Sequence, residues 1–120
     1  METLAKALLC LKIIKERKAI NPALIEVGKQ TTLTDYFLIA SGNSSRQVQA
    51  ISRHLTRRMR EEGFRPYGTE GEQEGHWILL DYGDVVVHVF HEPVRAFYDL
   101  EGFWVEAPRV ELDESSHQNE

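Results

Sequence analysis

Near the start of the chain, Leu4, Leu8, Leu11 and Ile14 recur three or four positions apart, with Lys12, Lys15 and Glu16 filling other positions. This is the period of an amphipathic helix, expected over Thr3 to Arg17 and stopped by Asn21 and Pro22, because proline disfavours helical backbone in the residue before it. Ala23 to Val27 alternates weakly and ends at Gly28, which predicts a short strand. Within Thr34 to Ser41 the pattern changes. Tyr36 to Ala40 is a continuous apolar run, as in a central strand covered on both faces. Gly42 and Asn43 break that run, and Ser44 with Gln47 three residues later has the form of a capping box. Val48, Ile51, Leu55 and Met59 then follow at helical spacing, with Arg46, Arg53, Arg57, Arg58 and Arg60 on the opposite face and Gly63 as the terminating residue.

Beyond Pro66 the stretch from Gly68 to Gly75 is rich in glycine and glutamate and predicts a loop or an edge strand. His76 to Tyr82 and Val85 to Phe90 are aromatic and β-branched runs separated by Gly83 and Asp84, and are expected to pair as an antiparallel hairpin. Pro93 opens a short helical stretch through Arg95, Phe97, Tyr98 and Leu100, and Phe103 and Trp104 add aromatic bulk after it. From Glu106 the apolar content collapses, so residues 1–107 read as a single domain and 108–120 as an acidic, disordered tail. The order helix, strand, strand, helix, loop, hairpin, short helix gives an α/β or α+β protein with a mixed sheet and helices packed on it.

Composition narrows the function class. No apolar run approaches the roughly 18 residues of a membrane span, and the basic and apolar residues of the first segment are interleaved rather than arranged as an export signal. A single cysteine, Cys10, makes no internal disulfide and has no CxxC partner. These features fit a soluble protein of the reducing cytoplasm. The net charge of −5 hides an asymmetry: residues 1–60 hold 11 Lys/Arg against 4 Asp/Glu, and residues 61–120 hold 3 against 15. Two readings stand open, an ordinary solvated surface and two patches of opposite sign that orient a docking partner. The acidic total speaks against generic nucleic-acid binding, although the arginine face of the second helix leaves direct RNA contact open.

The strand-to-helix turn from Ser41 to Ser45 is the best catalytic candidate, since backbone N–H groups at a helix start attract phosphate. It lacks the Gly-Lys-Ser/Thr ending of a P-loop and the G-x-G-x-x-G of a dinucleotide site. A nucleotidyltransferase turn would need partnering metal-binding aspartates; the only nearby pair, Asp81 and Asp84, flanks a hairpin turn, where aspartate ordinarily bonds backbone amides. His88 and His91 are three apart in a strand and point to opposite faces, so no metal site is expected from them with His76 and Glu92. The densest cluster is aromatic: Trp77, Tyr82, Phe97, Tyr98, Phe103 and Trp104 crowd the C-terminal half, and such side chains anchor protein interfaces. Trp77 and Leu79 share one strand face, Ile78 and Leu80 the other; both faces are apolar and need covering, and a partner is one candidate cover.

Three blocks carry a family resemblance: Thr34-Asp35-Tyr36-Phe37-Leu38-Ile39-Ala40-Ser41-Gly42-Asn43-Ser44-Ser45-Arg46-Gln47-Val48, then Trp77 to Phe90 (WILLDYGDVVVHVF), then Arg95-Ala96-Phe97-Tyr98-Asp99-Leu100-Glu101. Together they resemble the ribosomal silencing factor, or Iojap-like, family over residues 4 to 107. The resemblance implies a nucleotidyltransferase-like fold without catalytic carboxylates, no cofactor and no enzymatic activity. It implies binding to the large ribosomal subunit through ribosomal protein number fourteen, which keeps the small subunit from joining, and a binding surface on Trp77, Leu80, Tyr98 and Asp99. A homodimer that hides this surface in the free protein is a further expectation. Gly102-Phe103 before Trp104 departs from the common pattern and leaves the end of the last helix open.

Overall fold

The computed structural model describes residues 2–112. Nine elements follow in order: α1 (Thr3–Lys15), β1 (Ile20–Glu26), β2 (Tyr36–Gly42), α2 (Ser45–Glu61), β3 (Gly68–Glu70), β4 (Trp77–Asp81), β5 (Val85–His91), α3 (Glu92–Tyr98) and α4 (Leu100–Phe103). The strands form one sheet in the order β1-β2-β5-β4-β3. Only β2 and β5 run parallel, as a crossover through α2 requires; the other neighbours are antiparallel. The mixed α/β class expected from the sequence is the class found.

Strand alternation divides the core in two. Leu24, Leu38, Ala40, Ile78, Leu80, Val85, Val87 and Val89 point to the face covered by α1 and α2, where they meet Val48, Ile51, Leu55 and Met59 of α2. Each such side chain contributes roughly 1.5–3 kcal/mol by leaving water. On the opposite face Ile25, Ile39 and Phe90 lie beneath α3, α4 and the segment after them. The α2 start has the expected cap: Ser44 Oγ accepts from the Gln47 amide at 3.0 Å. The reciprocal bond is displaced by one residue, since Gln47 Oε1 accepts from Asn43 rather than from Ser44.

Three expectations are corrected. Asn21 and Pro22 do not stop α1, which ends at Lys15; Lys18 turns the chain with φ of 61°, and Asn21 and Pro22 lie inside β1. They are tolerated there because β1 is an edge strand with an irregular register between Ile20 and Ala23. The buried stripe of α1 is Ala7, Cys10, Leu11, Ile13 and Ile14, while Leu8 is 40% exposed, so the helix is rotated from the face that the leucines alone suggested. Finally, the polar tail begins later than residue 108. The Glu26 amide donates to the Pro108 carbonyl, the Val110 amide to the Leu24 carbonyl, and Val110 and Leu112 pack against the core. Residues 113–120 of the expected tail lie outside the described residues. Cys10 is fully buried with its thiol pushed up to about 12 by desolvation, and serves as a small core hydrophobe.

Candidate functional site

The second sheet face is not fully covered. Beside β4, the helix α3 leaves a groove of about 380 Å³ lined by His76, Trp77, Pro93, Val94, Phe97 and Tyr98. Trp77 is half-buried in its floor, stacked on Phe90 at 4.7 Å between ring centres and tilted against Tyr98 at 5.2 Å. Phe97 crosses Tyr98 edge-on at 5.1 Å and is 80% exposed; Tyr98 is 56% exposed. Later in the chain, Phe103 and Val105 stand 77% and 76% exposed. Large apolar groups held in water in this way form an exposed patch of the kind that partners cover.

Of the four residues expected to make that surface, Trp77 and Tyr98 are brought into contact and Asp99 adjoins them. Asp99 sits at φ 48°, between α3 and α4, and its side chain accepts from the Gly102 amide to cap α4. α4 is a single turn, Leu100–Phe103, whose first amides this cap serves. Leu80 does not join them. It is fully buried on the α1/α2 face, because one strand step from Leu79 reverses the direction of the side chain. The apolar residue of β4 that shares the outer face with Trp77 is Leu79, half-buried and paired in register with His88. Strict period-two counting from Trp77 finds Leu79; the resemblance alone does not.

Beneath Trp77 lies His88, 4% exposed. The indole N–H donates to His88 Nδ1 at 3.1 Å, so the neutral imidazole carries its proton on Nε2. That Nε2 is buried without a hydrogen-bond partner, against the edge-on ring of Phe37 at 4.6 Å. Burial pulls the His88 pKa down from 6.5 to about 4. Because the folded state resists the proton and the unfolded chain accepts it, the stability is intact above pH 6.5 and declines as pH falls toward about 4. Between pH 7 and pH 5 the loss should reach about 2 kcal/mol in urea unfolding. His88→Gln should flatten that decline, and an equal decline in this variant would contradict the assignment to His88.

Arg95 fastens α3 to the sheet. Its guanidinium donates to Glu101 at 2.6 and 3.2 Å, to Ser41 Oγ at 2.9 Å and to the Ile20 carbonyl at 3.3 Å. The pair is largely buried, with side-chain exposures of 13% and 16%, and Arg95 holds the Glu101 carboxyl below its ordinary range. Arg95→Ala would strand this carboxylate and the Ser41 and Ile20 acceptors, and should lower stability by about 3 kcal/mol in chemical unfolding. A loss within error of zero would show that α3 is held by packing alone.

The phosphate-turn alternative meets a different geometry. Ser41 is buried and receives Arg95, and the Asn43 and Gln47 amides are already bonded within the cap. Asp81 accepts from the Gly83 amide at 2.8 Å, its expected turn role, and Asp84 binds Lys6 and Thr3 at 2.8 Å each. In the parallel β2–β5 pair, Tyr36 opposes Val85 and Gly42 opposes His91. Asp84 therefore lies at one end of these strands and the turn at the other, about 20 Å away. One metal ion cannot join them to a shared phosphate.

The full chain, residues 1–120, matches the family model described as "Ribosomal silencing factor during starvation". A ribosomal silencing factor of Halalkalibacterium halodurans is 41% identical over 105 residues, covering 88% of this chain and 90% of that one. The chloroplastic protein Iojap of Arabidopsis thaliana is 36% identical over 124 residues, covering 98% of this chain and 50% of the relative. A mouse protein named "Mitochondrial assembly of ribosomal large subunit protein 1" is 30% identical over 95 residues, covering 77% of this chain and 42% of the relative. Among solved structures, a crystal structure of a Chromobacterium violaceum protein superposes with a TM-score of 0.85 at 35% identity, covering 87% of each chain.

Proposed function

The chain belongs to the ribosomal silencing factor family, and from that membership we propose that it is a cytoplasmic translational repressor. It binds the large ribosomal subunit through ribosomal protein number fourteen and blocks association with the small subunit. The observation that carries this reading is the exposed aromatic groove around Trp77 and Tyr98, held on the sheet face that α1 and α2 leave uncovered. The name of the mouse relative, which refers to assembly of the ribosomal large subunit, supports the choice of subunit. In this reading Trp77 and Tyr98 supply large apolar area with polar tips, Leu79 and Phe97 extend the contact, and the exposed Asp99 carboxylate meets a basic group at its rim. Leu80 has no accessible surface with which to take part.

Nothing in this action calls for a chemical step. The repressor works by occupying a surface, so its effect should scale with occupancy and not with time. Purified protein titrated with purified ribosomal protein number fourteen should form a saturable complex that perturbs tryptophan fluorescence. Absence of a complex would remove this protein as the contact point.

A further inference from the structure

On the opposite side of β4, between α2 and the connection from β3, lies a groove of about 480 Å³. Arg53, Arg57 and Arg60 line it at successive turns of α2, spanning about 10 Å along the helix. All three are exposed, and among the described residues none pairs with a carboxylate at salt-bridge distance; Arg58, by contrast, is bound to Glu16. Among the described residues the one acidic residue in the lining is Glu72. Arg57 is held from below, donating to His54 Nδ1 at 3.0 Å, which orders its guanidinium without neutralising it. In a protein of net charge −5, this is a local concentration of unneutralised cations.

From this geometry we infer that the α2 groove binds the phosphodiester backbone of ribosomal RNA, while the aromatic groove holds the protein component of the same subunit. The inference rests on the large-subunit reading above. Guanidinium forks match phosphate oxygens in geometry and charge. Among the described residues no aromatic side chain lines the groove, so they offer no platform for stacked bases and fit backbone rather than sequence. The two grooves are joined by one short connection, residues 71–76. Glu72 borders the arginine groove and His76 the aromatic one. That connection is pinned to α2, since Gln49 donates to the Glu72 and Gln73 carbonyls at 3.0 and 2.9 Å, and a Cβ on Gly75 would come within 2.7 Å of the Ser45 carbonyl. A ribonucleoprotein surface, with protein and phosphate side by side, is the partner that engages both at once.

The test compares wild type, R53Q/R57Q/R60Q and R53Q/R60Q, the last of which keeps the Arg57–His54 bond in case the triple variant folds poorly. Binding is measured over a range of salt to intact large subunits, to deproteinised large-subunit RNA and to isolated ribosomal protein number fourteen. Removing the arginines should weaken subunit binding at least tenfold at low salt and lower the slope of log affinity against log salt by about two. Binding to the free RNA should fall in parallel, with binding to the isolated protein unchanged. Unchanged subunit affinity and slope would overturn the inference. So would a loss of subunit affinity by variants of a wild type that ignores free RNA, which would point to an acidic protein in the groove. Should wild type bind no large subunit at all, the reading of the function fails, and the free-RNA arm still decides whether the arginines bind phosphate.

Discussion

Trp77→Ala is expected to weaken binding to the large subunit by at least about 2 kcal/mol, roughly thirtyfold, with the fold preserved. The size follows from the setting. Trp77 lines the groove, backed by the fully buried Phe90, flanked by Tyr98 and steered by the hydrogen bond to His88. A large ring already held by its neighbours loses little conformational freedom on binding, which favours a hot spot. Tyr98→Ala should act in the same direction and be less than additive with Trp77→Ala, since the two rings touch. Affinity measured by sedimentation or light scattering, beside a thermal melt, checks both. Wild-type affinity in both folded variants would remove this face from the interaction.

Leu80→Ala separates surface from core. Leu80 is fully buried among residues of the α1/α2 side, so truncation should cost about 3 kcal/mol of stability through lost burial and the cavity left behind. Affinity corrected for the folded fraction should stay at the wild-type level. A thirtyfold loss of affinity without a loss of stability would mean that β4 presents the opposite face to the partner. The contrast with Trp77 is sharp because the two residues lie three apart on one short strand and on opposite sides of it.

Much of this was legible in the residues themselves. The apolar run of Tyr36 to Ala40, the Ser44 cap and the Val48, Ile51, Leu55, Met59 stripe are local signals, and local physics decided them. The hairpin of β4 and β5 follows from Gly83, which adopts φ of 89° between two β-branched runs. What failed to show was set at a distance. Asn21 and Pro22 look like a helix stop in isolation, and only the irregular pairing of β1 with β2 gives them a place in a strand. Leu8 looks like core until α2 and the sheet choose which side of α1 to cover. Val110 and Leu112 look like the start of a polar tail because their partners lie on elements far earlier in the chain.

The candidate face was half legible. Of the residues expected from the family resemblance, Trp77 and Tyr98 touch, and Asp99 follows Tyr98 at the turn into α4. Leu79 was available from strand alternation, but the packing of Trp77 on His88 required the register of β4 against β5. The arginine groove needed the fold as well, because the sequence gives the arginines and only the structure sets residues 71–76 across from them.

The most direct measurement of the central claim mixes the purified protein with separated large and small ribosomal subunits and resolves the products by sedimentation. The account predicts co-migration with the large subunit alone and a dose-dependent loss of joined ribosomes, both abolished or greatly reduced by Trp77→Ala. Co-migration with the small subunit, or undiminished joining at saturating protein, would contradict it.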